Sequence, residues 1–158
     1  MNWTDWFYYK EGELYWLKNV SNKKENSIAG GLVNTGYRRV MIHNKSYAVH
    51  RVIWEILKGP ILDGYQIDHI NHNRADNRIE NLRLATNKQN NQNKSVRKDS
   101  ETKIKGVYWR QDTKKYRAKI KINGKENHLG YFDTSEEASI AYQEASKKLH
   151  GEFSCTTS

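Results

Sequence analysis

The sequence predicts an α+β chain, and three observations carry that class. Its first third is made of short aromatic and β-branched runs broken by turn signals, which read as strands in hairpins. One amphipathic stripe follows, and after it a strand, loop, strand, helix order over a polar middle. The last third reads as a three-stranded antiparallel sheet packed on one helix.

Taken in order, the turns fall at Glu11-Gly12, Gly30-Gly31, Thr35-Gly36 and Asn44-Lys45, so residues 1–48 are expected to form a β-rich N-terminal arm. Val49, Val52, Ile53, Ile56 and Leu57 recur at helical spacing, and Gly59-Pro60 ends that helix. Gln66 to Asp68 and Ile79 to Leu84 have strand character, with a turn-prone stretch from Asn71 to Asn77 between them. Thr86 followed by Gln89 has the pattern of a capping box and opens a short helix through Asn93. Residues 49–93 therefore form the expected core, and the polar residues 94–103 a linker.

From 104 to 153 the strands are Gly106 to Arg110, Tyr116 to Ile122 and Asn127 to Phe132, with Asn123-Gly124 as a hairpin turn. In the middle strand Tyr116, Ala118, Ile120 and Ile122 alternate with Arg117, Lys119 and Lys121, so one face is apolar and the other cationic. Thr134 and Glu137 predict a second capping box, and Ala138, Ala141, Tyr142, Ala145 and Leu149 give the helix a stripe of mostly small residues.

Charge narrows the partner. The chain carries a formal +9. Between Arg97 and Lys125 eleven Lys or Arg face three acids, whereas from Asp133 to Glu152 five acids face two lysines. A module polarised in this way presents one basic face, suited to a nucleic-acid backbone. With a mean hydropathy of -0.99, no run approaches the roughly 18 apolar residues of a membrane span. The opening residues lack the pattern of a secretory signal, so a cytoplasmic setting is expected. The single cysteine, Cys155, excludes a disulfide framework and a multi-cysteine zinc site, so a metal would be held by oxygen and nitrogen.

The chemistry concentrates at Asp68-His69, with Asn81 twelve residues after the histidine and Asn90 nine beyond that. A phosphodiester repels nucleophiles by its own charge, so its hydrolysis needs a base to make hydroxide and a cation to absorb developing charge. Asp68 offers a hard carboxylate oxygen and Asn90 an amide oxygen for a magnesium-like ion. An imidazole with a pKa near 6.5 lets His69 accept a proton at neutral pH.

This pattern resembles the HNH endonucleases, in particular the phage and intron-encoded homing type, over about Tyr47 to Asn93. The residues that carry it are His50-Arg51, Asp68-His69-Ile70, Asn77, Arg78, Glu80-Asn81-Leu82-Arg83 and the Asn-rich helix. The resemblance implies a ββα-metal core with one divalent ion, Mg2+ or Mn2+. Asp68 and Asn90 would bind that ion, His69 would be the general base, and Asn81 would hold His69 and the hairpin in place. Arg51 joins the expected DNA contacts. The last histidine of the family pattern is asparagine here, which favours magnesium or manganese over zinc or nickel.

Ile104 to Phe153 resembles the ethylene-response-factor (Apetala-type) DNA-binding domain through Gly106-Val107, Tyr116, Ala118, Ile120, Leu129-Gly130, Phe132-Asp133-Thr134, Glu136-Glu137-Ala138, Ala141-Tyr142, Ala145 and Leu149-His150-Gly151. That family lays its sheet in the major groove, which puts Lys105, Tyr108, Arg110, Lys119, Lys121 and His128 on the DNA face. Arginine is the best suited of these to read guanine. Several arginines of the plant pattern are Tyr108 and Lys121 here, and a tryptophan is His128, so the plant recognition sequence does not carry over.

The combined expectation is an endonuclease for double-stranded DNA, monomeric and nicking one strand, that leaves 5'-phosphate and 3'-hydroxyl ends. A double-strand break would take a dimer or a second visit. The rival readings are a catalytically silent DNA-binding regulator on the same fold and an RNA-binding protein, the latter disfavoured by the narrow A-form groove.

Overall fold

The computed structural model describes residues 1–93, 96 and 100–154. Cys155 and part of the expected linker lie outside the described residues. The chain divides into two units, Met1–Asn87 and Lys88–Ser158.

In the first unit, Phe7–Lys10 (β1) and Glu13–Trp16 (β2) pair as a hairpin, and Ile28–Ala29 (β3) completes a three-stranded sheet. Glu11 and Gly12, at φ 48 and 87, close the turn, the left-handed geometry that tight hairpins need. Gly30 carries the chain into a second sheet of Gly31–Leu32 (β4), Arg38–Ile42 (β5) and Lys45–Ala48 (β6). The last turn of this sheet is His43-Asn44, both at positive φ, one residue ahead of the expected Asn44-Lys45. Val49–Lys58 forms α1, which ends at Gly59 with φ 91.

Tyr65–His69 (β7) and Leu82–Thr86 (β8) then pair as an antiparallel ribbon. The stretch expected as a strand from Ile79 opens as a 3-10 turn over Ile79–Asn81 before β8 begins.

Residues 1–48 are not an appended arm. Phe7, Leu14, Trp16, Ala29, Val40 and Ile42 share one buried cluster with Val49, Val52 and Ile53 of α1, Ile67 of β7 and Leu82 of β8. The physical reason is size: a two-stranded ribbon and one helix cannot enclose a core, so the hairpins supply its other wall. A hydrogen bond from Trp3 Nε1 to Glu55 Oε2 (2.5 Å) and an ion pair between Arg38 and Glu13 tie the wall together.

The second contiguous unit begins within the helix Asn87–Asn93 (α2) rather than at 104. It contains Val107–Arg110 (β9), Lys115–Ile122 (β10) and Lys125–Phe132 (β11), with β10 in the middle of an antiparallel sheet. Asn123 and Gly124, at φ 50 and 83, make the expected hairpin turn. Ser135–His150 (α3) packs on the sheet through Val107, Ala118 and Ala138. Its N-terminus has both arms of the capping box, Glu137 N to Thr134 Oγ1 and Thr134 N to Glu137 Oε2, each 3.2 Å. The small residues on α3 let the helix sit close. A Cβ on Gly106 (φ 75) would lie 2.1 Å from the Tyr142 ring and 2.7 Å from the Lys119 carbonyl oxygen.

In β11 the pairing shifts. Ala118 faces Gly130, but Lys119 faces His128, so Leu129 is an extra residue. This bulge reverses the strand's alternation. Leu129 turns into the apolar cluster, while His128 and Tyr131, three residues apart, meet on the outer face with ring centroids 4.7 Å apart.

No helix among the described residues is long and apolar enough to cross a membrane.

Candidate active site

Asp68 and His69 are the last two residues of β7, and successive residues on a strand point to opposite faces. Ile67 and the cross-strand residues Leu84 and Leu82 belong to the apolar cluster, and His69, on the same side of the ribbon as Ile67, lies against Tyr37 and His50. Asp68 faces the other way, and its cross-strand partner Arg83 grips it: Nε donates to Oδ2 at 3.0 Å and Nη2 lies 2.9 Å from the same oxygen. Both site residues are buried, Asp68 at 7% exposure and His69 at 5%.

The His69 ring is held at several points. Its Nε2 lies 3.1 Å from Asn77 Oδ1. The amide of Asn77 is oriented by its own Nδ2, which donates to the Ala75 carbonyl at 3.3 Å, so its oxygen faces the ring and Nε2 is the donor. Nδ1 is then the nitrogen that carries the lone pair. His50 of α1 meets His69 edge to face at 5.0 Å between centroids, and Tyr37 lies 5.2 Å from His50 and 5.9 Å from His69. Arg74 covers Tyr37 at 4.9 Å and donates to the Thr35 carbonyl at 3.0 Å. Burial pulls the His69 pKa below the ordinary histidine value; the Asn77 bond and the carboxylates of Asp68 and Asp76 act against it. His50 is driven down further, to about 3, first by burial and then by the charges of His69, Arg51 and Arg39. Its Nδ1 is buried without a hydrogen-bond partner among the described residues.

Asn81 organises the loop that delivers Asn77. Its Oδ1 accepts from Asn71 N at 3.0 Å, and its Nδ2 donates to Asn71 Oδ1 at 3.0 Å and to the Asp76 carbonyl at 2.8 Å. Asn71 and Asn73 cap the backbone of Asn73 and Ala75 in turn. Asp76 accepts from Asn71 and from both Nε and Nη2 of Arg78, and the Arg78 bonds hold its carboxyl far below the usual range. The N-terminal hairpin braces this loop from outside: Tyr9 Oη accepts from Ile79 N at 3.3 Å, and a Cβ on Gly12 would lie 2.8 Å from the Arg78 side chain.

Asp68, His69 and Asn81 thus lie together in the first unit, while Asn90 lies on α2 in the second. Arg51 is exposed on α1. Asn77, His50 and Tyr37 touch the His69 ring and Arg83 grips Asp68, contacts that spacing did not assign because they come from across the fold. Among the described residues no three His, Cys, Asp or Glu side chains converge as a metal cluster. The available donors are hard oxygens, the carboxylate of Asp68 and side-chain amides, which suit a magnesium-class ion that keeps several waters and shares the substrate phosphate.

In the second unit Tyr108, Arg110, Lys119, Lys121 and His128 lie on the outer face of the sheet, as strand alternation and the bulge require. Lys105 departs from that expectation: its Nζ donates to the Gln92 carbonyl at 2.6 Å, and it lines a cleft of about 550 Å³ with Tyr142 and His150 of α3. It precedes β9, so strand alternation does not bind it. Trp109 packs on Tyr116 at 4.8 Å, on the helix side rather than the outer face.

Residues 47–92 match the family model described as HNH endonuclease. Protein 3.8 of Escherichia phage T7 is 34% identical over 104 residues, covering 66% of this chain and 85% of that protein. An uncharacterized HNH endonuclease of Acanthamoeba polyphaga mimivirus is 36% identical over 106 residues, covering 66% of this chain and 54% of that protein. A solved structure of DNA binding and cleavage by the HNH homing endonuclease I-HmuI aligns with a TM-score of 0.44 and 25% identity, over 56% of this chain and 51% of that one.

Proposed function

The chain belongs to the HNH endonuclease family, and from that premise we propose that it hydrolyses one phosphodiester of double-stranded DNA, nicking a single strand as a monomer with a divalent ion, Mg2+ or Mn2+, bound. The observation that carries this reading is the loop centred on Asn81, which brings Asn77 to His69 Nε2. With Nε2 donating to Asn77, His69 takes a proton from water through Nδ1. The lowered pKa keeps the ring neutral, and so able to act as a base, near pH 7. Asp68 and Asn90 would hold the ion, which when bound supplies charge stabilisation to the leaving 3'-oxygen. Arg83 orients the Asp68 carboxylate through Oδ2. Asn81 acts one step back, as the residue that shapes the 71–78 loop. The products would be 5'-phosphate and 3'-hydroxyl ends.

The second unit is read as an Apetala-type DNA-binding domain, supported by its sheet on one helix and its cationic outer face. Arg51, exposed on α1, would add a phosphate contact.

The test compares the full chain with His69→Ala and Asn77→Ala on supercoiled plasmid with Mg2+, alongside DNA binding in a chelator. His69→Ala should abolish nicking and keep binding, and Asn77→Ala should lower kcat about a hundredfold with the affinity unchanged. Nicking by His69→Ala at the parent rate would remove the base assignment. Binding without cleavage in the parent under any divalent ion would establish the silent regulator instead.

A further inference from the structure

The outer face of the second unit's sheet carries more cations than it can use for the same purpose. Lys115 is paired with Asp133 at 3.0 Å. Lys119 is paired with Glu126 at 2.8 Å and lies over the Tyr108 ring at 4.7 Å. Arg110, the arginine that the family pattern favours as a reader, is chelated by Asp112: Nε to Oδ1 at 3.1 Å and Nη2 to Oδ2 at 2.7 Å. Its fork is already filled by a carboxylate, which would also be carried toward a phosphate backbone.

Arg117 differs on each count. It sits on the central strand, flanked across the ladder by Tyr108 on β9 and Tyr131 on β11. Both tyrosines are exposed, at 47% and 46%. Among the described residues no carboxylate pairs with it. Its Nε donates to His128 Nδ1 at 3.4 Å, and although Glu126, the partner of Lys119, feels its charge, no ion pair engages its terminal nitrogens among the described residues. The bulge at Leu129 makes this possible. Without the extra residue His128 and Tyr131 could not share a face, and Arg117 would lose either its orienting acceptor or its aromatic flank.

We infer that Arg117 is the base-reading side chain of this domain, donating from its terminal pair to the O6 and N7 of one guanine in the major groove. A guanidinium matches those two acceptors in a plane, whereas the lysines present point charges suited to phosphate. Tyr108 and Tyr131 flank the arginine and bar it from swinging along the sheet. His128 fixes the rotation of the fork. Lys121, which faces Glu126 across the ladder without an ion pair among the described residues, serves as the comparison: it contributes charge without reading.

This inference rests on the DNA-binding reading of the second unit, and one experiment separates their failures. The full chain, held in a chelator so that it does not cut, is used to select duplexes from a random library. Binding to the selected sequence and to each single-base change is then measured for the parent, Arg117→Lys, Arg117→Ala and Lys121→Ala, with thermal melts to show that each variant is folded. Arg117→Lys keeps the charge and loses the fork. It should bind the selected site about 5- to 100-fold more weakly, become indifferent to substitution of one guanine, and keep its affinity for unrelated duplex. Lys121→Ala should weaken all duplexes alike and retain the guanine preference. If both Arg117 variants keep the parent's base preference, or if the parent selects no guanine, the inference fails while DNA binding stands. If the parent binds no duplex at all, the underlying reading falls and the inference with it.

Discussion

A buried imidazole beside the proposed base makes the protein sensitive to acid for a reason that can be isolated. His50, with its pKa at about 3, refuses the proton that the unfolded chain takes up near pH 6.5. Above about pH 6.5 the two states bind the same number of protons, and His50 has no effect on stability. As the pH falls from 6.5 toward 3 the unfolded chain is favoured, by up to about 1.4 kcal/mol per pH unit. His69, lowered in the same direction, adds to the effect. Urea denaturation at pH 7.0 and 5.0 should therefore show a drop in stability, and His50→Phe, which keeps a ring against His69, should shrink that drop by about 1 kcal/mol or more. An equal drop in parent and variant would mean that His50 is not held neutral. At the same scale, the sequence showed Asp68, His69 and Asn81 by spacing but gave Asn77 no role and did not single out Tyr37. Their importance arises from a loop folding back and from a residue just before β5, 32 positions ahead of His69, and neither leaves a local pattern.

At the level of elements, period and turn chemistry foretold most of what formed. α1, the hairpin at Asn123-Gly124 and the capping box of α3 stand where apolar spacing, paired positive-φ residues and Thr134 with Glu137 require them. The bulge was not legible, because one extra residue in β11 leaves its composition unchanged and shows only in the pairing. Strand alternation alone placed Arg117 on the cationic face, and a family pattern that reads other positions passed over it. The junction of α3 with the sheet gives a direct prediction. Gly106→Ala would add a Cβ at φ 75 that meets Tyr142 and a backbone carbonyl, so it should destabilise the second unit by roughly 3 kcal/mol. Circular dichroism melts would register the loss, and an unchanged melting temperature would show that α3 does not press on Gly106.

Taken whole, the chain joins a nuclease unit to a basic one, and the formal charge of +9 is concentrated before residue 126. Binding that works through phosphate contacts releases counterions, and about four such contacts give a log–log slope near -4, or roughly a hundredfold loss of affinity between 50 and 200 mM salt. Titration of duplex DNA at several salt concentrations measures that slope directly. A flat dependence would exclude backbone neutralisation as the source of affinity. The domain plan drawn from sequence divided this molecule too early, at residue 48, because a run of hairpins looks self-sufficient until the burial of Phe7, Leu14 and Trp16 against α1 is seen.

The contact of Gly12 and Tyr9 with the segment around Arg78 gives the front of the chain a duty toward chemistry that it never touches. A version trimmed to the residues that match the family model would keep every proposed reactive group of that stretch and yet lose the prop behind its asparagine-rich loop. A minimal engineered nuclease cut from this protein should therefore start at the first hairpin, and a graft of the 71–78 loop onto another scaffold would need a replacement buttress at the same spot.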